Sequence, residues 1–265
     1  MRDKSTKIGV IDQGILAVSK TKEYPALVRQ SMGRVLNFAL VISILLTIIV
    51  YLIPMLAYQW SLGGLETFFQ ERIPTFTIAN GKMEMEGELD MELLGIQIKA
   101  DSSKEKYTMD DIDSEKIAQV LISNSNLLIK DLGQVFEINF ETIKGTINNQ
   151  TLVGMVPYLY GAEIVLILFG IIALFLRYLL GAFGYALIGM TVASLRQIPL
   201  SLQDLFKIGI YCKLLSALVG AVNEVLGYPI PVEYWYSVGM LISFVYLTKG
   251  IVAHKTNESS KGMIV

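Results

Sequence analysis

Histidine and cysteine are almost absent from this chain. One His, His254, and one Cys, Cys212, stand among 265 residues. A lone histidine excludes a histidine-based metal cluster and a Ser-His-Asp triad. A lone cysteine excludes an intrachain disulfide, so any segment facing an oxidising compartment must hold together by its own core. Cys212 itself lies in an apolar stretch and reads as a small core residue. Walker A, dinucleotide-fingerprint and HExxH patterns are missing, and no basic-aromatic stretch points to nucleic acid. Charge is scarce as well: 17% of residues are charged and 53% hydrophobic, against roughly 25% charged in soluble domains. No catalytic, cofactor-binding or metal-ligating set can be assembled. The chain is expected not to be an enzyme and to carry no cofactor.

What is present is apolar sequence in long blocks. The longest runs from Tyr158 to Leu195 and contains only two charges, Glu163 and Arg177. As one helix it would be roughly 57 Å long, nearly twice a bilayer core. Further stretches near 36–58, 208–227 and 234–253 are each long enough to span once. The expected fold is an α-helical multi-pass membrane protein, with five apolar helical segments and four or five spans. The lipid bilayer is its first partner.

Charge asymmetry sets the expected orientation. Residues 1–34 carry seven basic and three acidic side chains, a net of +4. Residues 59–157 carry sixteen acids and eight bases, a net of −8. Lys and Arg beside a span are retained in the cytoplasm. The N-terminus is therefore expected inside a cell membrane and the acidic middle segment outside. The implied organisation is a cytoplasmic basic segment 1–34, a transmembrane helix 35–60, an extracytoplasmic domain 61–157, a helical bundle 158–253 and a polar tail 254–265. The first apolar block lies behind a long polar head, so it reads as an uncleaved span. Within the head, residues 8–20 fit either an amphipathic helix on the inner leaflet or a frayed tail. A new helix is expected to begin near Tyr24-Pro25.

The middle segment reads as a small, mostly antiparallel β domain of about 90 residues. Alternation at Phe76/Ile78, Met83/Met85, Ile96/Ile98 and Phe136/Ile138, with apolar runs 120–122 and 127–129, marks strands. Asn80-Gly81 is the strongest hairpin signal, since both residues tolerate positive φ. Thr108 reads as the N-cap of a short helix to about Ile117. The acids between Glu84 and Glu92 alternate with apolar residues. Their density would suit calcium, but a solvated strand face accounts for the pattern without it.

Beyond Pro157 two topologies are open. A hairpin turning near Arg177 gives five spans and an external C-terminus. One long or broken helix gives four spans and an internal C-terminus, which places Arg196, Lys207, Lys249, His254, Lys255 and Lys261 in the cytoplasm. Length favours the first and charge the second. Ser201-x-x-Asp204 caps the following helix, which is expected to start as an amphipathic stretch at the interface. Arg177 and Glu163 are the candidate functional intramembrane charges, because a charge in an apolar run is costly. The plainer reading is that Arg177 marks a hairpin tip or snorkels, as Lys213 can. Gly181, Gly184 and Gly189 would permit close helix packing.

Several stretches carry a resemblance. They are Tyr24-Pro25 behind a basic head, Ile73-Pro74-Thr75-Phe76-Thr77-Ile78-Ala79-Asn80-Gly81, Ile96-Gln97-Ile98-Lys99-Ala100-Asp101-Ser102, the single basic residue Arg177, and Leu200 to Tyr211. Together they resemble an uncharacterised membrane family of Gram-positive bacteria, domain of unknown function eleven eighty-nine. The stretch from Leu200 to Tyr211 is also similar to the broader Yip1-type membrane fold. Some members of the family are named maltodextrin utilisation proteins. The resemblance thus implies an accessory role in maltodextrin or sugar uptake, with a sugar transporter or another membrane protein as partner. It brings no catalytic residues. On this reading the external domain binds or senses. The alternative is a transporter or channel subunit with Arg177 in the path.

Overall fold

A computed structural model describes residues 7–93 and 95–261, with the backbone alone for 256–261. The chain forms two compact units: Met1–Leu56 with Ile164–Val265, and Ala57–Glu163.

The helical unit opens with α1 (Val10–Ser19) and α2 (Tyr24–Val28). Neither is a free surface element. Ala17, Tyr24 and Leu27 are fully buried. Pro25 occupies the first turn of α2, where its missing N–H costs nothing. The Tyr24 hydroxyl donates to Ala17 O at 3.1 Å, and burial holds its phenol well above the ordinary range. Ile11 and Ile15 remain exposed on the opposite face of α1. The first six residues of the expected basic segment lie outside the described residues.

Among the described residues, four helices are long and apolar enough to cross a membrane: Met32–Ser61, Asn149–Leu195, Leu202–Val225 and Val232–Lys255. The first comprises α3 (Met32–Thr47), a π-helical turn over Ile48–Leu52 and α4 (Ile53–Ser61). Two causes meet at the widened turn. Ser43 and Thr47 bond back to the carbonyls of Ala39 and Ser43, which bends helices. Pro54 also lacks the N–H that Val50 O would receive.

The middle unit contains a short α5 (Leu65–Thr67) behind Gly63 and Gly64, both at positive φ. Eight strands follow: β1 (Phe76–Ala79), β2 (Lys82–Met85), β3 (Glu88–Leu93), β4 (Ile96–Asp101), β5 (Ala118–Ile122), β6 (Asn126–Asp131), β7 (Gln134–Asn139) and β8 (Ile147–Asn148). They make a three-stranded sheet, β2-β1-β8, and a five-stranded sheet, β3-β4-β5-β6-β7. The β1–β2 hairpin turns at Asn80 (φ 52°) and Gly81 (φ 81°), the two positive angles a type I′ turn requires. Glu88, Asp90 and Glu92 point to solvent while Leu89, Met91 and Leu93 are half-buried. Among the described residues only β4–β5 is a parallel pair, joined by the long connection a parallel crossover needs.

That connection contains one correction. Thr108 and Asp111 form a reciprocal capping box, but the helix they start is a single 3₁₀ turn, Met109–Asp111, and does not reach Ile117. Asp113 N–H donates to Gln119 Oε1 and Glu115 N–H to Asp113 Oδ1, so side chains capture the backbone that a longer helix would use.

The second long helix, α6 (Asn149–Leu195), is continuous over 47 residues. No hairpin forms near Arg177. Its neighbours are helix formers, and no Gly-Pro or polar cluster offers a turn. The helix also starts nine residues before Tyr158. Asn148 Oδ1 accepts Thr151 N–H at 3.0 Å and caps it. Asn149 fixes the same corner, accepting from Phe76 N–H and donating towards the carbonyls of Phe69, Ile73 and Pro74.

After the Ser201 cap, α7 (Leu202–Cys212) and α8 (Leu214–Val225) run on either side of Lys213. The first residues of α7, Leu202 and Gln203, are exposed, and the helix then turns inward. Leu205 and every residue from Lys207 to Cys212 are buried. Gly209 makes this possible by packing against the Ala182 carbonyl, where a Cβ would overlap. Lys207 is buried too, and its amine donates to Val28 O at 2.8 Å. The last helix, α9 (Val232–Lys261), carries the segment expected as a polar tail from residue 254 onwards as helix to Lys261. Residues 262–265 lie outside the described residues.

Candidate functional site

A cavity of about 410 Å³ opens within the helical unit. One wall is a stripe on α6 at helical spacing: Leu174, Arg177, Tyr178 and Tyr185. Facing it are Leu46 and Val50 near the π-turn, Lys213, Ser216 and Glu224 of the α7–α8 run, and Trp235, Gly239 and Ser243 of α9. Small residues shape it. A Cβ on Gly220 would meet Trp235 Nε1 at 2.7 Å, so glycine there admits the indole.

Lys213 is the organising charge. Its position between α7 and α8 aims the side chain at α6, where Nζ donates to Tyr178 O at 3.0 Å and lies 4.8 Å from the Tyr178 ring centroid. The amine rests so closely on Gly181 that a Cβ there would overlap it. Gly181 thus makes room for a cation rather than for a neighbouring helix. Gly184 faces open space, whereas Gly189 packs against Leu205, Leu247 and Ile251. The Tyr178 hydroxyl donates to Ile210 O at 2.7 Å and pins α6 to α7. Ser216 and Ser243 share a 2.7 Å hydrogen bond across the cavity wall.

Arg177 is one turn from Gly181 and exposed at the cavity's edge. Among the described residues neither Arg177 nor Lys213 forms an ion pair. Glu224 is the one carboxylate in the lining, so the three charges sum to +1. It sits beside Tyr228. Desolvation first, then the Glu224 charge, raise that phenol above its ordinary value.

Arg177 therefore lies in the cavity, and Glu163 does not. Glu163 belongs to the other unit, where Gln59 Nε2 donates to it at 2.6 Å. Sequence alone gives Lys213 only a snorkelling role. The available signal is a lysine five residues into the apolar stretch 208–227, behind a capped helix start. Cys212 is buried, with its thiol directed at Gly209 O.

A second hollow, of about 540 Å³, lies in the β unit among Lys82, Ser102, Glu105, Asn124, Ser125 and Glu141. Its neutral polar groups are already engaged. Asn124 Nδ2 donates to Met83 O, Ser125 Oγ to Glu105 O, and Ser102 Oγ to Met85 O. Among the described residues no three His, Cys, Asp or Glu side chains converge as a metal site.

The family described as Protein of unknown function (DUF1189) matches residues 13–251. The chain belongs to this family. No curated protein and no solved structure matches it. In this member of the DUF1189 family, the matched span covers all of the Ala57–Glu163 unit and most of the other, including the whole cavity lining.

Proposed function

We propose that this DUF1189 protein is a four-span accessory protein of a bacterial cell membrane. Its N-terminus is cytoplasmic, and its β unit is presented outside as a binding or sensing domain. The observation that carries this reading is the position of the β unit, inserted between the first two of four membrane-length helices. The +4 head and the −8 middle segment support the orientation. Four spans return the C-terminus to the cytoplasm with Arg196, Lys249 and Lys255. The helical unit then docks a partner, with a sugar transporter as the partner class and maltodextrin uptake as the associated process.

One observation favours a second reading, a transport subunit. Arg177 lines a cavity partway along a continuous helix and marks no hairpin tip. A single complementation experiment separates the two. In cells lacking the protein, maltodextrin uptake and membrane abundance are measured after restoring wild type or Arg177→Leu. The accessory role predicts normal uptake with the variant. Lost uptake at normal abundance supports conduction past Arg177. Uptake that is unchanged by removing the protein altogether would sink the maltodextrin association.

A further inference from the structure

The cavity in the helical unit combines two features that no structural role requires together. It holds two cations that lack an ion-pair partner among the described residues, and it adjoins bare apolar surface. Lys213 commits one of its three donors to Tyr178 O and faces the Tyr178 ring. Arg177 offers five donors in a planar fork, the geometry that suits two oxygens of one phosphate. Along the same helix Ile172, Leu176 and Leu180 are exposed by 57%, 54% and 72%. A neutral solute would leave the pocket's net positive charge uncompensated in an apolar setting, which is costly. An anion with an apolar body matches both halves. The volume, about 410 Å³, takes a headgroup but not a whole phospholipid, so acyl chains must lie outside along α6.

We propose that this cavity binds the phosphate group of an anionic phospholipid, with Arg177 and Lys213 as the phosphate ligands. Gly181 keeps the Lys213 amine in reach of that group, and Glu224 at the edge limits the pocket to a single net positive charge. A soluble phosphate ester shares this headgroup chemistry, so the test separates the two sources. The proposal rests on the membrane reading above.

The full-length protein is purified in mild detergent and analysed by native mass spectrometry with phosphatidylglycerol, phosphatidylcholine or glycerol 3-phosphate. Phosphatidylglycerol is expected to be retained over phosphatidylcholine, and glycerol 3-phosphate not to displace it. Arg177→Gln and Lys213→Met should each weaken that retention about tenfold, the scale of one lost charge-assisted hydrogen bond. Glu224→Gln changes an exposed side chain and leaves the packing intact. It should strengthen retention severalfold, which keeps the test decisive if Lys213→Met fails to fold.

Binding of glycerol 3-phosphate with the same dependence on both cations, in place of phosphatidylglycerol, would overturn the lipid source. Equal retention of phosphatidylcholine, retention indifferent to both cation variants, or no gain in Glu224→Gln would overturn the site. Protein that stays soluble without detergent would instead defeat the membrane reading itself.

Discussion

Two glycines that look alike in sequence should behave oppositely when given a methyl group. At Gly209 a Cβ would overlap the Ala182 carbonyl oxygen. That oxygen belongs to helical backbone and cannot rotate away, so α6 and α7 must separate or twist. Overpacking of this kind costs about 1–3 kcal/mol. A backbone obstacle in a fully buried contact belongs at or above the upper end. Alanine recovers up to about 1 kcal/mol of helix propensity over glycine. The net expectation for Gly209→Ala is a loss of about 2 kcal/mol. For a chain of this size that lowers the melting midpoint by roughly 6 °C. At Gly184 nothing lies within 4 Å of the added atom, so only the propensity gain remains. Gly184→Ala should leave the midpoint unchanged or raise it by about 3 °C. The assay is thermal unfolding in one mild detergent, followed by size-exclusion recovery of the monodisperse protein. Equal midpoints for the two variants, or a lower one for Gly184→Ala, would refute the assigned α6–α7 contact.

Three further outcomes follow from the β unit and the helix start. Asn126 is buried and bonds Tyr107 N–H, Tyr107 O, Ser123 Oγ and Glu137, so Asn126→Ala in a soluble fragment 57–163 should cost about 2–4 kcal/mol by circular-dichroism melting. A cost near zero would mean that the network is incidental. Hydrogen bonding from Ser103 holds Asp101 below the usual carboxylate range, and Lys104 and Lys106 do the same for Asp111 and Glu137. Depressed carboxylates stabilise above their unfolded pKa near 4 and lose that contribution as pH falls from there through the lower folded pKa, so the fragment's midpoint should be flat above about pH 5 and fall below about pH 4. A midpoint that rises on acidification would contradict this. Asn148→Ala removes the cap of α6 and should lower the fragment's stability by about 1 kcal/mol, whereas an unchanged midpoint would show that Asn149 alone holds the corner.

Local chemistry was legible in the sequence, and partners were not. Asn80-Gly81 specified its hairpin because φ is a property of those two residues. The alternation through Glu88 to Leu93 declared its two faces for the same reason, and Ser201 with Asp204 declared a helix start. Lys213 could not be read this way. Its meaning depends on Gly181 and the Tyr178 carbonyl, more than thirty residues earlier. The packing of the head is non-local in the same way. Nothing local shows that Gln13 receives the Tyr211 hydroxyl at 2.8 Å or that Val28 O receives Lys207. The start of α6 is hidden in the sequence because Asn148 and Asn149 look like loop residues until their backbone partners are known. Hydrophobicity marks the apolar blocks but suggests five helical segments where four long helices form. It could not tell one 47-residue helix from a hairpin, since both are equally apolar.

The central claim is that the β unit faces outward while both ends of the chain face inward. Single cysteines at Ser114, Ser19 and Ser259, in a Cys212→Ala background, allow each position to be probed in intact cells with a membrane-impermeant maleimide. Ser114 is exposed in the β unit, and Ser19 is exposed at the end of α1. The four-span account predicts labelling at position 114 and none at 19 or 259 until the cells are opened. Protection of position 114, or labelling of 19 or 259 in intact cells, would contradict it.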